Sequence, residues 1–217
     1  METEGNHTRV KICGITTLED GRFASGAQAD FLGFIFWPGS PRFVTAETAA
    51  GIIDWIEGPE CVGVFVDQPA EEVNRLAEET GIDLVQLHGD ESVDYCLQMN
   101  KPVIKSFRVK PGMTAEDLQD MILPYLSHVA FILFDSFDRE VQGGSGKTFD
   151  WGLIEKLNER IPVILAGGLN PENIARAIET VKPFAVDVSS GVELEPGIKD
   201  FEKMTVFFDK IRTINEG

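Results

Sequence analysis

Strand-length apolar runs and amphipathic stretches alternate along the chain, and this alternation restricts the fold more than any other feature of the sequence. The runs cover residues 9–15, 31–37, 61–67, 84–89, 103–109, 129–135, 163–167 and 184–189. They are rich in Val, Ile and Phe and nearly continuous in apolar character, as strands buried on both faces of a parallel sheet are. Stretches with recognisable helix starts lie between them. Thr17, Thr45, Pro69, Asp90, Thr114 and Asp150 each precede one, and Asn170-Pro171 places a cap and a first-turn proline before another. Residues 200–214 supply the last, and Gly26, Gly58 and Gly81 stand where helices should stop. Strict alternation predicts parallel strands joined by right-handed crossovers.

Eight such units predict an α/β fold, a single (β/α)8 TIM barrel with its active site at the C-terminal ends of the strands. The chain of 217 residues is compact for that fold. The alternative is an open, doubly wound sheet, whose dinucleotide-binding form carries GxGxxG after its first strand. Cys13-Gly14-Ile15-Thr16-Thr17 stands there instead, which favours the barrel. No linker divides the chain, so a polar tail over 1–8 and one catalytic domain over 9–217 are expected.

Composition excludes several classes. The net charge is -17, with 36 acidic and 19 basic residues, which argues against nucleic acid or an anionic membrane as a partner. An anionic substrate must therefore meet a local exception to the global field. The apolar runs are far shorter than the roughly 20 residues that span a bilayer, and no basic segment precedes an apolar one at the N-terminus. Cys13, Cys61 and Cys96 are odd in number and widely spaced, which predicts neither a disulfide framework nor a metal site and suits a reducing cytoplasm.

In such a barrel the informative residues are polar ones near strand ends: Cys13, Asp67, His88, Asp135, Asp187 and Ser189. Residues two apart on a strand share a face, so Lys11 goes with Cys13, Gln86 with His88, and Asp187 with Ser189. Lys11, Cys13 and Lys105 are assigned to the barrel interior, Lys105 because Ile104 suits the helix side. Buried charges need partners, and Lys11, Lys105 and Asp187 are expected to form one network, either functional or purely structural.

Glycine marks a second feature. Ala166-Gly167-Gly168 ends the seventh run and Ser189-Ser190-Gly191 the eighth. Loops after strands seven and eight often hold phosphate on backbone N–H groups, and glycine permits the close approach. Either loop alone also reads as an ordinary tight turn; together they point to an anion site. Gly143-Gly144-Ser145-Gly146 reads as a lid, a third wall of that pocket, or a plain linker.

Cys13 ends a strand beside Lys11, and a nearby ammonium lowers a thiol pKa from about 8.5. Cys61 and Cys96 read as inert buried hydrophobes. Asp135 ends the apolar segment AFILFD, and apolar surroundings raise a carboxyl pKa, as a general acid requires. A thiolate base facing a carboxylic acid across a barrel mouth suits isomerisation by proton transfer.

These residues also carry a family resemblance. Lys11-Ile12-Cys13-Gly14-Ile15-Thr16 resembles the opening signature of the phosphoribosylanthranilate isomerases of tryptophan biosynthesis. The similarity continues through GFIFWPGSPR at 33–42, GVFV at 63–66, VQLHG at 85–89, Phe134-Asp135, GGSGKTFDW at 143–151, LAGGL at 165–169 and DVSSGVE at 187–193. It implies an Amadori rearrangement of N-(5-phosphoribosyl)anthranilate to the carboxyphenylamino deoxyribulose phosphate, with no metal or coenzyme. It implies Cys13 as general base, Asp135 as general acid and Arg42 on the anthranilate carboxylate. Lys11, His88, Gly143, Gly144, Gly167, Gly168, Asp187, Ser189, Ser190 and Gly191 would line the substrate, with the glycine loops on its phosphate. Members occur as monomers and as homodimers, and the sequence leaves that choice open.

Two departures stand out. Ser145 occupies a position where threonine is common, and the hydroxyl is kept. Pro196-Gly197-Ile198-Lys199-Asp200 alters the order of a family segment, which is expected to affect the start of the last helix and not the acid or base. Related readings are an indole-glycerol-phosphate synthase, a histidine-pathway isomerase or a dual-substrate barrel, and a barrel that binds a phosphosugar without turnover. The Cys13–Asp135 pairing disfavours the synthase, which needs a lysine acid.

Overall fold

The computed structural model describes residues 7–136, 150–154, 157 and 161–216. Strands β1 (Arg9–Cys13), β2 (Phe31–Ile35), β3 (Glu60–Phe65), β4 (Leu84–Leu87), β5 (Val103–Val109), β6 (Phe131–Ser136), β7 (Val163–Leu165) and β8 (Ala185–Val188) close into one barrel in sequence order. Every pairing is parallel, and β8 returns to β1. Several strands stop short of the apolar runs because the chain turns out of the ladder at the mouth. Gly14 (φ 77°), Asp67 (φ 50°) and Gly167 (φ 88°) make those turns in the left-handed region.

Helices α1 (Leu18–Gly26), α2 (Ala46–Ile53), α3 (Ala70–Thr80), α4 (Val93–Cys96), α5 (Ala115–Ile122), α6 (Ile174–Val181) and α7 (Phe201–Glu216) cover the barrel. The expected caps are present at Thr17, Thr45 and Thr114, whose hydroxyls accept backbone N–H bonds from Asp20, Thr48 and Asp117. Asn170 accepts from the N–H groups of Glu172 (2.9 Å) and Asn173 (3.0 Å), so it caps the turn that leads into α6. Two local expectations need correction. Ser92, not Asp90, caps α4, because Asp90 is held by its own N–H on the Asp67 carboxylate. After α1 the left-handed residue is Gln28 (φ 70°) rather than Gly26. In the sixth unit Asp150 caps a 3-10 turn, Trp151–Leu153.

The interior is graded in polarity along the strands. At the strand starts Phe31, Phe131 and Phe184 pack together, with the Arg9 guanidinium 4.7 Å above the Phe184 ring. Above them Val62, Leu84, Ile104, Leu133, Ile164 and Ala185 fill the barrel. Two residues further along β4, β5, β6 and β8 the same face carries Gln86, Ser106, Asp135 and Asp187, and Lys11 of β1 pairs with the last of these. A larger apolar layer lies between sheet and helices and includes Ile12, Leu32, Phe34, Val85 and Leu165. Thr8 is buried and bonded to Asn215 and Pro183, which fastens the approach to β1 onto α7 and the loop before β8.

Candidate active site

The mouth of the barrel is built on β1 and β8. Lys11 and Asp187 are register partners there, and their side chains meet at 3.0 Å with Lys11 fully buried. The Cys13 thiol stands on the same face. A Cβ at Gly33 on β2 would fall 2.8 Å from its Sγ and 3.0 Å from Lys11 Nζ, so glycine there makes room for both. Burial works to lower the Lys11 pKa, but Asp187 and Cys13 outweigh it and leave the ammonium above its ordinary value. Cys13 departs from expectation. Burial pushes its thiol pKa up, and the opposing pull of Lys11 and Lys199 does not cancel that.

A second cluster braces the first. Arg42, in the loop after β2, donates through Nε and Nη2 to both oxygens of Glu193 at 2.8 and 2.7 Å. Glu193 also accepts from Lys199 at 2.8 Å, and Lys199 donates to the carbonyl of Cys13 at 2.6 Å. Burial is the largest influence on Glu193 and would raise its pKa, yet the two cations hold its carboxyl below the ordinary value. This corrects the reading of residues 196–200. Asp200 does cap α7, by accepting from the Lys203 N–H at 3.0 Å, but Lys199 in the same segment holds the backbone of Cys13.

The opposite wall carries β4, β5 and β6. Asp135 Oδ2 lies 3.3 Å from His88 Nε2, and His88 Nδ1 lies 3.1 Å from Gln86 Nε2. Arg108, which the sequence reading passed over, donates to the His88 carbonyl at 3.2 Å and is the register partner of Asp135.

Lys105 does not belong to this site. Ile104 packs in the barrel interior, so Lys105 points to the helix side. There it pairs with the buried Glu91 at 2.7 Å and donates to the Gly89 carbonyl. Glu91 also accepts from the N–H groups of Asp67 and Gly89, which ties the loops after β3 and β4 together. Asp67, a candidate by position, is part of that scaffold and accepts from the Asp90 N–H at 2.7 Å.

Gly167 (φ 88°) and Gly168 (φ 68°) turn the chain after β7, and Ser190–Val192 forms a 3-10 turn after β8. The two loops touch, since a Cβ at Gly191 would collide with the Leu169 carbonyl. Ser189 Oγ and Asp187 Oδ1 are buried there without a hydrogen-bond partner among the described residues. Gly143 and Gly144 lie outside the described residues. Cys61 and Cys96 are buried free thiols, with Cys61 pushed up by burial to about 12.

A closed barrel with a thiol, an ammonium and two carboxylates at the C-terminal mouth, above an apolar plug, defines a (β/α)8 enzyme equipped for proton transfer. Residues 10–210 match the family model described as N-(5'phosphoribosyl)anthranilate (PRA) isomerase. The chain belongs to that family of isomerases. A relative named N-(5'-phosphoribosyl)anthranilate isomerase from Geobacter sp. (strain M21) is 44% identical over 209 residues, covering 96% of this chain and 100% of the relative. The phosphoribosyl anthranilate isomerase structure from Thermotoga maritima superposes with a TM-score of 0.87 at 41% identity, covering 95% of this chain and 99% of that one. A further structure, of phosphoribosyl anthranilate isomerase in complex with reduced 1-(o-carboxyphenylamino)-1-deoxyribulose 5-phosphate, has a TM-score of 0.83 at 38% identity and covers 95% and 99%. Among the described residues no helix is long and apolar enough to cross a membrane.

Proposed function

We propose that this chain converts N-(5'-phosphoribosyl)anthranilate to 1-(2-carboxyphenylamino)-1-deoxyribulose 5-phosphate, with Asp135 as general acid and Cys13 as general base. The observation that carries the reading is the thiol of Cys13 set beside the buried Lys11–Asp187 pair, in a chain of this family. Asp135 gives its proton to the furanose ring oxygen as the C1–O bond breaks, and the nitrogen lone pair forms the C1=N bond. Cys13 then takes the C2 proton, and the C–H electron pair becomes the C1=C2 bond of a neutral enolamine. Ketonisation returns one proton to C1 from the Cys13 thiol and releases one from the 2-hydroxyl to Asp135, so the enzyme ends as it began. The raised thiol pKa makes thiolate scarcer but a stronger base once formed, while the cationic imine acidifies C2.

Arg42 uses its Nε–Nη2 edge on Glu193 and keeps Nη1 for the anthranilate carboxylate. The N–H groups around Gly167-Gly168 and Ser190-Gly191, with the Ser189 hydroxyl, take the phosphate. The Arg42–Glu193–Lys199 cluster, two cations on one carboxylate, supplies the net positive charge that an anionic substrate needs in so acidic a protein, since Asp187 neutralises the buried Lys11. Three buried free thiols suit work in a reducing cytoplasm. The test generates phosphoribosylanthranilate in place from anthranilate and phosphoribosyl pyrophosphate and follows the loss of anthranilate-type fluorescence. Protein-dependent decay is expected. No decay with folded protein, or turnover of the histidine-pathway aminoaldose instead, contradicts the reading.

A further inference from the structure

Both ring nitrogens of His88 are engaged, and their partners differ in kind. Nε2 faces the Asp135 carboxylate at 3.3 Å and Nδ1 faces the Gln86 side-chain amide at 3.1 Å. The His88 backbone is held as well: its main-chain N–H donates to the Phe65 carbonyl at 2.9 Å, and its main-chain carbonyl accepts from Arg108 at 3.2 Å. Gln86 is buried, and its Oε1 has no partner among the described residues when Nε2 faces the ring.

We propose that His88 is a positioning residue that stores the acid proton for Asp135, with the Gln86 amide oxygen holding Nδ1–H so that Nε2 faces the carboxylate. With Gln86 Nε2 on the ring, Nδ1 accepts and the pair carries one proton, on Nε2. With the amide turned, Oε1 accepts from Nδ1–H, and the pair carries a second proton as imidazolium with carboxylate or as imidazole with carboxylic acid. Loss to the substrate of the proton shared by Nε2 and Asp135 leaves Nδ1–H on Gln86 Oε1 and the carboxylate ionised, and the proton released from the 2-hydroxyl restores the shared one. No other reactant is needed. Among the described residues the charged groups bonded to His88 are Asp135 from β6 and Arg108 from β5. Asp67 and Glu91, on the loops after β3 and β4, are committed to the Asp90 N–H and to Lys105. A lone carboxylic acid gives up its proton well below neutrality, whereas an imidazolium keeps it to about pH 6.5.

This rests on Asp135 being the acid, so both residues are varied. His88→Gln keeps an N–H donor within reach of Asp135 but cannot hold a proton. Its kcat should fall about 10- to 100-fold, within the range of general acid catalysis, with KM nearly unchanged and the alkaline limb of the kcat profile shifted to lower pH. Nitrogen-15 NMR of the parent, which has three histidines, should show a second ring proton on His88 that is lost in Asp135→Asn at the same pH. An inactive Asp135→Asn beside a His88→Gln with parental kcat and pH profile overturns the proton store alone. So does a His88 ring that stays neutral in one tautomer from pH 5 to 9 in the parent, which needs no variant to fold. Parental activity in Asp135→Asn overturns the acid assignment, and the store with it.

Discussion

Lys11 and Asp187 are direct register partners on neighbouring strands, and their side chains close a 3.0 Å ion pair inside the barrel. The pair joins β1 to β8, where the barrel closes, and sets the charge next to Cys13. Removing one partner of a buried pair leaves the other charge uncompensated. Lys11→Met and Asp187→Asn should each lose about 3–5 kcal/mol of unfolding free energy, and the double variant less than the sum. Urea melts of the four proteins check this; additive losses would mean that the two side chains are not coupled.

The Cys13 thiol should be slow to alkylate at neutral pH. Burial holds its pKa above 9.0, so the rate should still be climbing at that pH, and Lys11→Met should push the profile further up. Iodoacetamide labelling followed by peptide mass analysis separates Cys13 from Cys61 and Cys96. A plateau below pH 8 would contradict the account.

Gly33→Ala should damage catalysis beyond its effect on folding. The added carbon would stand 2.8 Å from the Cys13 sulfur and 3.1 Å from the Cys13 Cα, and backbone cannot swing aside. Overpacking of this kind costs about 1–3 kcal/mol in stability. The thiol would also be displaced, so kcat should drop more than tenfold at a temperature where the variant remains folded. Normal kcat in a variant shown folded by circular dichroism would mean that the strand relaxes freely.

Acid sensitivity should trace partly to Glu193. Its folded pKa lies below the ordinary 4.5, so it adds stability above that value and loses it as pH falls through the folded one. Glu193→Gln should therefore be less stable than the parent at pH 7, and the gap should narrow steadily below pH 4.5. Chemical denaturation at the two ends of this range measures it; a gap constant with pH would remove Glu193 from the linkage.

Element order was legible because each β/α unit repeats its own local signals, and the caps at Thr17, Thr45 and Thr114 stand where the sequence puts them. Parity was legible for Lys11 and Cys13, and for Gln86 and His88, where polar residues alternate with strongly apolar ones. It failed on β5. That strand, VIKSFRV, is buried on both faces, so hydrophobicity does not say which side Ile104 takes, and Lys105 was put inside. The partner that settles it, Glu91, sits in a loop 14 residues earlier. The Arg42–Glu193 and Lys199–Cys13 contacts span 151 and 186 residues, and no local pattern announces them. The direction of the Cys13 shift was also beyond the sequence. A neighbouring lysine is visible there, but the depth of burial that outweighs it is a property of the closed barrel.

The central claim is that Cys13 removes the C2 proton, and single-turnover decay of phosphoribosylanthranilate fluorescence in Cys13→Ala beside the parent tests it most directly. The account predicts rapid decay with the parent and a rate at least a hundredfold lower with the folded variant, the scale of a lost general base. Decay at the parental rate in Cys13→Ala would contradict it and place the base elsewhere at the barrel mouth.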